Sequence, residues 1–469
     1  MQDTTINAST TGTISNSVGY EQQLRRDQNP WQLVRFGLLC MLPIAPTQVW
    51  ASAHAESFGM SALVYVIGAL AMLFTALSYK HMTSEFPVAG SAYSYVQRGM
   101  HPWIGFLAGW LIIMDYSIIP GMLIKFSTTW MSAIVPEDTA SILTPIMIIL
   151  FAAIVTTIVA VNGKIANWIN NFFFFGQLSL IALFLIAAFK FVIIDGNGVG
   201  HFSLTPFYNP DTFTFAGIAS AATLGMLGFI GFDSIATQSE ETKNARKVVG
   251  RSVVLSLIII ALLFLSQAYM ASLVHPAYTD LDMESGMGYF DVIREAAGDW
   301  LYYAFIILGV IFVGIANAVP VMSAISRVLF AMGRDNALPF SKFFSKVNSK
   351  YQTPMNATLF IGTLSVIVAF TLSLDFLSRL VNFGAMSTYF LLNIAVIVHF
   401  LFKKKDFSLK GILNYGLLPL IGASVIGFIF SGFNSATWTV GLVWLAIGVV
   451  VLLVRMRKFK EVPPIAADL

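Results

Sequence analysis

Two aspartates inside long apolar segments are the residues of this sequence best suited to chemistry. Asp115 lies in the apolar run 103–131, and Asp233 lies in the run 213–238. A carboxylate buried at such depth is costly to keep, so it is a candidate for a binding or proton-carrying role. Because an ammonium group is a strong hydrogen-bonding partner of a carboxylate, both aspartates predict a site for a cationic group or a proton.

Two apolar segments also contain residues that interrupt a helix. In the first segment, Pro43 and Pro46 lie three positions apart and have no N–H group to donate. In the sixth, three glycines spaced by three positions end at Gly231, two residues before Asp233. Glycine and proline are common in membrane helices, and such glycines can form a close-packing seam. Breaks at matching positions of two repeats nevertheless favour a binding site near the bilayer centre.

The predicted site combines backbone groups freed at the breaks with carboxylates and aromatic rings. Carbonyl groups of residues 228–232 would ligate an ammonium group. The rings of Tyr116 and Phe232 would form an aromatic wall, where a cation gains about 0.5–2 kcal/mol. The candidate substrate-binding residues are Ala45, Thr47, Gln48, Asp115, Tyr116, Gly228, Gly231, Phe232, Asp233, Ser234 and Asn317. Further polar side chains that could complete the cavity or a gate are Ser323, Asn382 and Ser387.

Each buried aspartate also has a purely structural interpretation. Asp115 could form a fixed pair with Lys125 or cap a neighbouring broken helix. Lys125 lies ten residues further on, about three helical turns away, so this pair would need a bend in the chain. Asp233 could instead be satisfied by nearby backbone N–H groups.

Two further carboxylates, Glu240 and Glu241, follow the sixth apolar segment. At the rim of the membrane, ion pairs with Arg334 or Lys243 are favoured over proton carriage. Glu241 is nevertheless retained, and the candidates for ion coupling are Asp115, Asp233 and Glu241.

The composition excludes a soluble globular protein. Of the 469 residues, 57% are hydrophobic and only 11% are charged, compared with about 25% charged residues in soluble domains. The single cysteine, Cys40, excludes a disulfide within one chain, and the six histidines are scattered, so we expect no metal site and no cofactor. The sequence also contains no glycine-rich phosphate-binding loop and no cluster of side chains suited to an enzyme.

Twelve apolar runs are long enough to cross the membrane, whose hydrocarbon core of about 30 Å needs roughly 20 apolar residues. They are 32–53, 59–80, 103–131, 142–161, 167–194, 213–238, 249–274, 300–330, 355–374, 377–401, 411–431 and 436–455. Lys and Arg are concentrated in the loops that follow the even-numbered runs, whereas the loop 276–299 is acidic. The positive-inside rule therefore predicts cytoplasmic tails at both ends, at 1–30 and 458–469.

Three motifs in the connecting segments resemble those of one transporter superfamily. In chain order they are FPVAGSAYSY at 86–95, GFD at 231–233 leading to SEET at 239–242, and SR at 326–327 followed by MGRDNALP at 332–339 and TP at 353–354. Together they resemble the amino acid–polyamine–organocation superfamily, over nearly the whole chain from Trp31 to about Arg457. The resemblance implies a leucine-transporter-type fold, in which two inverted five-helix repeats are followed by two extra helices.

The resemblance also implies a domain layout and a function. One transporter domain at 31–457 would contain repeat one at about 31–194, repeat two at about 212–402 and extra helices at 411–455. We expect a multi-pass protein of the bacterial inner membrane that imports a polyamine such as putrescine, or an amino acid, by alternating access. Its partners would be this solute, a proton or sodium ion and the lipid bilayer, without nucleic acid, in a monomer or homodimer. The alternatives are an exchanger, a membrane sensor or a channel.

Within the superfamily, the chain resembles bacterial putrescine importers and neighbouring amino acid permeases. The residues that carry this resemblance are Asp115, Tyr116, Pro120 and Gln177. Some proton-coupled members have a lysine near the position of Gln177, so a lysine-centred proton switch is not expected here.

The identity of the solute stays open because two features of the first segment disagree. Amino acid carriers of the superfamily have a Gly-Ser-Gly-like break whose N–H groups hold the substrate carboxylate. Here Pro43 and Pro46 lack that group, which favours an amine without a carboxylate. Putrescine importers, however, have an acidic residue near Gln48, and a neutral amide is a poorer partner for a second ammonium group.

Overall fold

The computed structural model of the protein describes residues 28–161, 164–281 and 286–456. Residues 1–27 of the predicted N-terminal tail and the whole predicted C-terminal tail lie outside this range. Within the described residues the protein is built from helices and contains no β-strand, apart from an isolated bridge between Gln28 and Thr242. The prediction of an all-α protein is confirmed.

The helices follow one another with short connections. The first nine are α1 Pro30–Cys40, α2 Pro46–Glu56, α3 Ser61–Glu85, α4 Ser91–Gly99, α5 Pro102–Ser132, α6 Glu137–Val161, α7 Lys164–Phe189, α8 Phe215–Gly225 and α9 Ala245–Val274. The others are α10 Gly288–Ala297, α11 Asp299–Ile311, α12 Ala318–Arg334, α13 Ser341–Phe344, α14 Met355–Thr371, α15 Leu374–Ile397, α16 Leu409–Gly411, α17 Leu418–Phe430 and α18 Ser435–Met456. A 3-10 turn, Met226–Phe229, and a 3-10 helix, Phe232–Glu241, follow α8, and π-helical turns continue α7, α11, α15 and α16.

Long apolar helices dominate the fold. Among the described residues, ten helices are long and apolar enough to cross a membrane, and Met355–Thr371 is a shorter apolar helix. Helices suit this environment because lipid offers no partner for backbone N–H and C=O groups, which must bond within the protein. The first predicted run, 32–53, is divided between α1 and α2. The protein is thus a multi-pass membrane protein, while the twelve spans and the inverted repeat stay predictions.

Two parts of the sequence that were interpreted as loops contain short helices. Helix α4 lies in the segment after the second apolar run, and α10 lies in the acidic stretch 276–299. Each has an apolar face and a polar face, and the polar face hides the helix from a search for long apolar runs. Two helices also exceed their predicted runs, since α3 continues to Glu85 and α6 begins at Glu137.

Helix α5 carries Asp115 and Tyr116 and lies at the centre of several other helices. It packs against α4, α12, α14 and α15. Its approach to α15 is close because Gly384 has no side chain: an added Cβ would lie 2.9 Å from the Leu111 carbonyl oxygen and 3.1 Å from the Asp115 Cβ. Small residues permit such close helix contacts, and this one places α15 directly beside the buried aspartate.

Candidate functional site

The first predicted break separates α1 from α2 at residues 41–45, which we call break 1. Leu42 adopts a left-handed conformation there, with φ at +57°. The break leaves carbonyl groups without helical partners, and side chains of other helices bond to them. Asn317 Nδ2 donates to the Leu39 oxygen over 2.6 Å, and Gln267 Nε2 donates to the Pro43 oxygen over 3.0 Å. Backbone groups at membrane depth are thus satisfied within the protein.

The second predicted break lies between α8 and the 3-10 helix at residues 226–231, which we call break 2. After the 3-10 turn the chain is extended at Ile230, and Gly231 has φ at +120°. Side chains other than hydrogen strongly disfavour that conformation. Both breaks therefore lie where the proline pair and the glycine triplet predicted them.

The two breaks touch each other. A Cβ added to Gly231 would lie 2.8 Å from the carbonyl oxygen of Cys40, at the end of α1. A Cβ added to Gly228 would lie 3.2 Å from the Cβ of Ala45. Glycine at both positions permits this approach, so the predicted residues Ala45, Gly228 and Gly231 are brought together.

Asp233 lies directly after break 2, and three tyrosine hydroxyls bond to its carboxylate. Tyr116 donates to Oδ1 over 2.5 Å and Tyr389 over 2.8 Å, and Tyr79 donates to Oδ2 over 3.3 Å. These donors come from α5, α15 and α3, and the aspartate is only 2% exposed. Hydroxyl groups, which are neutral, satisfy the carboxylate without neutralising its charge.

Aromatic rings pack beside this carboxylate. The Phe232 ring lies 5.2 Å from the ring of Tyr389 and 5.5 Å from that of Tyr79, measured between centroids. All three side chains are fully buried. A cation bound at Asp233 would therefore have aromatic faces within reach, as predicted for Phe232.

Asp115 is also buried, but it does not pair with Lys125. Its Oδ1 accepts a hydrogen bond of 2.6 Å from the backbone N–H of Tyr116, the residue whose hydroxyl bonds to Asp233. Lys125 Nζ donates instead to the Ala369 carbonyl oxygen over 3.1 Å. The fixed pair considered for Asp115 is thus absent, and the two aspartates are joined through Tyr116.

Two predicted ligands use their hydroxyl groups inside the breaks themselves. Thr47 Oγ1 donates to the Ile44 oxygen over 2.6 Å, and Ser234 Oγ donates to the Gly231 oxygen over 2.5 Å. Gln48 differs, because its Nε2 is buried and has no hydrogen-bond partner. Of the three, only Gln48 offers an unused donor beside break 1.

Glu241 lies at the far end of the 3-10 helix, away from the Asp233 carboxylate. It forms a buried ion pair with Arg327 of α12, a partner that the sequence did not indicate. Glu240 pairs with Arg334, with 3.0 Å between Oε1 and Nη2, so the predicted ion pair for this residue is confirmed.

Asn317 lies between break 1 and α7 rather than beside Asp233. Its Oδ1 accepts a hydrogen bond of 3.1 Å from Gln177 Nε2, while its own amide bonds to α1. Asn382 is buried on α15, and its Oδ1 has no partner. Ser387 is half-buried on the same helix.

A pocket with a cavity volume of about 60 Å³ opens at the Glu241 end of the 3-10 helix. It lies between the start of α1, the 3-10 helix, α6 and α12, and its lining includes Gln28, Phe36, Gln238, Ser323 and Arg327. Ser323 thus lies in this pocket, not in the central cluster.

Three residues around the breaks and Asp233 were not predicted from the sequence: Tyr79, Tyr389 and Gln267. Their signal was present, because a tyrosine or glutamine inside an apolar segment must find a hydrogen-bond partner there. Their partners could not be named, since each lies on a helix distant in sequence. In the part of the chain that the structure describes, no group of three His, Cys, Asp or Glu side chains could hold a metal ion.

Comparison of the sequence with known proteins identifies its family. The family model for amino acid permeases matches residues 34–456. The low-affinity putrescine importer PlaP of Escherichia coli (strain K12) is 28% identical over 447 residues, which cover 94% of this chain and 96% of that protein. The branched-chain amino acid permease BcaP of Bacillus subtilis (strain 168) is 27% identical, with 94% and 95% covered. The methylthioribose transporter of the same organism is 24% identical, with 93% and 95% covered. Since the family model spans nearly all of the described fold, the chain belongs to the amino acid permease family.

Proposed function

We propose that this protein is a secondary transporter that imports an amine-bearing solute across the bacterial inner membrane by alternating access. The observation that carries the proposal is the Asp233 carboxylate, buried between three tyrosine hydroxyls and directly after a break that touches a second break. Paired breaks near the middle of the membrane are the usual binding site of such carriers. The predicted twelve spans, two inverted repeats and cytoplasmic termini form part of this proposal.

An ammonium group suits the site by charge and by shape. It would exchange water for a charge-assisted hydrogen bond to Asp233, with the faces of Phe232 and Tyr389 beside it. Carbonyl groups at the broken helix ends add partial negative charge. The tyrosine hydroxyls hold the carboxylate in place and can turn when the solute arrives.

The second polar group of the solute decides between an amino acid and a polyamine. Two of the three relatives named above are a putrescine importer and a branched-chain amino acid permease, and the solutes of these two carry an ammonium group. The unpartnered Nε2 of Gln48 favours a solute with a hydrogen-bond acceptor, such as the carboxylate of an amino acid. Putrescine is the second candidate, because this chain is similar to a putrescine importer.

A thermal-shift panel of the purified protein tests the binding of an amine. Putrescine, L-leucine and isoamylamine are compared, because a ligand that binds only the folded state stabilises it by about 2.7 kcal/mol at roughly a hundredfold excess over its Kd. We expect at least one compound to raise the Tm of the protein, and neither putrescine nor isoamylamine to raise that of Asp233→Asn. Stabilisation by leucine alone would identify an amino acid site and by putrescine alone a diamine site. No stabilisation by any amine would contradict the proposal.

Coupling to protons is proposed for Asp115, which contacts the site through Tyr116. Asp115→Asn is expected to lower accumulation driven by a pH gradient at least tenfold while solute counterflow continues, since the amide cannot carry a proton. Both are measured as radiolabelled uptake into proteoliposomes. Asp375→Asn serves as the control, because its exposed pair with Arg379 contributes little. Unchanged accumulation in Asp115→Asn would remove Asp115 from the mechanism.

Counterflow separates the proposed carrier from its rivals. A carrier saturates and exchanges labelled for unlabelled solute, whereas a channel does neither and a sensor moves no solute. Exchange without net uptake would identify an antiporter.

A further inference from the structure

The pocket at the Glu241 end of the 3-10 helix is a second polar site, separate from the Asp233 cluster. Gln238, which lines it, lies five residues after Asp233, about 10 Å along a 3-10 helix. One side of the pocket is apolar, with Phe36, Ile158 and Val319 in its lining. The other side is polar, and its lining includes Gln238, Ser323 and Arg327.

Arg327 has a hydrogen-bond donor left over. Its Nε donates to Glu241, and its Nη1 donates to the hydroxyl and to the backbone oxygen of Ser323. Its Nη2 makes no hydrogen bond to a described residue, and the residue as a whole is only 7% exposed. Because Glu241 already balances the charge of the guanidinium group, what remains is a directed N–H donor more than a free charge.

Gln238 supplies a second unused donor. The residue is 2% exposed, and its Nε2 is buried without a hydrogen-bond partner. A buried donor left in this state has lost its hydrogen bonds to water without gaining a replacement. Native proteins rarely leave a buried amide in this condition without a ligand or water.

The hydroxyl groups of the pocket are already occupied. Thr353 Oγ1 donates to the Ala160 oxygen over 2.8 Å, and Ser326 Oγ donates to the Met322 oxygen over 2.7 Å. Thr358 Oγ1 donates to the Ser326 hydroxyl over 3.2 Å. Arg327 can only donate, and Nε2 is the atom of the Gln238 amide that is buried without a partner, so a ligand with acceptor oxygens fits the two groups.

We propose that this pocket binds a small carboxylate with an apolar body. One carboxylate oxygen accepts from Gln238 Nε2 and the other from Arg327 Nη2, while the body lies against Phe36, Ile158 and Val319. A phosphate fits less well, because Glu241 would repel its second charge and the walls opposite are apolar. Two kinds of ligand have this chemistry: a transported amino acid that is leaving the protein, and a separate organic acid of the cytoplasm. The binding of a carboxylate in this pocket does not depend on transport. The assignment of the pocket to the path of a transported solute rests on the proposed function.

Calorimetric titration of the purified protein with isovalerate and with isoamylamine tests the proposal. The two share one branched body and differ in the charged group. We expect isovalerate to bind, and Gln238→Leu to weaken it at least tenfold without changing isoamylamine. Asp233→Asn should weaken the binding of isoamylamine at least tenfold without changing the binding of isovalerate. Absent isovalerate binding, or equal binding in Gln238→Leu, would overturn the proposal.

Gln238→Glu is a second variant that tests the proposal in case Gln238→Leu does not fold. The side chain keeps its size but replaces the donor with a like charge, so isovalerate should bind at least as weakly as in the leucine variant. An intact melting transition and normal isoamylamine binding would show that this variant is folded. Full isovalerate binding in such a folded variant would overturn the proposal as well.

Labelled L-leucine counterflow in proteoliposomes distinguishes the two sources of the carboxylate. Counterflow that slows in Gln238→Leu would assign the pocket to the solute itself. Absent leucine counterflow, with Gln238-dependent isovalerate binding retained, would assign it to a separate acid. If no amine binds or moves while isovalerate still binds, the proposed function fails and the pocket assignment stands.

Discussion

Replacing Asp233 with asparagine should lower uptake of the amine at least hundredfold. Removing one partner of a buried ion pair costs about 3–5 kcal/mol, and each 1.36 kcal/mol is roughly a factor of ten. The fold should survive, because the asparagine Oδ1 can still accept from Tyr116 and Tyr389, which both bond to one oxygen of Asp233. Radiolabelled uptake into proteoliposomes measures the first effect, and the melting temperature measures the second.

The matched controls for Asp233→Asn separate charge from geometry. Asp375→Asn removes an equal charge from an exposed aspartate and should leave uptake unchanged. Tyr389→Phe keeps the carboxylate but removes one donor, so it should weaken uptake far less, by about tenfold or below. Retention of uptake within about threefold in Asp233→Asn would show that the ammonium group binds elsewhere.

The local chemistry of the sequence was enough to locate the breaks. Proline without an N–H and glycine at regular spacing change the backbone wherever they occur, so the interruptions at Pro43 and Gly231 could be read directly. The burial of Asp115 and Asp233 followed equally from their place inside apolar runs. These features depend on residues close together in the chain.

Partners from distant helices could not be predicted. Tyr79 and Tyr389 lie 154 and 156 positions from Asp233, and only the packing of α3 and α15 around the 3-10 helix brings them to its carboxylate. The same holds for Arg327 and Glu241, which are 86 positions apart. Polar side chains inside apolar segments show that partners must exist, but not which ones.

The roles of small polar residues were harder to predict than their positions. Thr47 and Ser234 lie beside the breaks as expected, yet their hydroxyls bond to the backbone oxygens of Ile44 and Gly231. Each of these oxygens also accepts from a backbone N–H, that of Thr47 and that of Ser234 respectively, so the hydroxyl adds a second donor to a carbonyl group at the break. Such residues shape the site while contributing no free ligand group.

Gly231→Ala should abolish uptake and lower the thermal stability of the protein substantially. The glycine has φ at +120°, and a left-handed conformation costs an alanine about 1–2 kcal/mol. The added methyl group would also lie 2.8 Å from the Cys40 carbonyl oxygen and 2.9 Å from its carbonyl carbon. Since those atoms are backbone, they cannot turn aside, and the two breaks would have to separate. Labelled uptake and the melting temperature measure both effects.

Alanine variants of two other glycines separate the cost of the backbone conformation from the cost of the contact with Cys40. Gly298 has φ at +81° and ψ at −176°, with nothing within 4 Å of an added Cβ, so Gly298→Ala should cost only the conformational strain, about 1–3 kcal/mol. Gly427 lies within α17, again with nothing within 4 Å, and its alanine variant should match or slightly exceed the stability of the parent. The loss in Gly231→Ala beyond that in Gly298→Ala then measures the contact between the two breaks. If Gly231→Ala behaves like Gly298→Ala and still transports, break 2 does not need its contact with the end of α1, and the site must be held together by the tyrosines around Asp233.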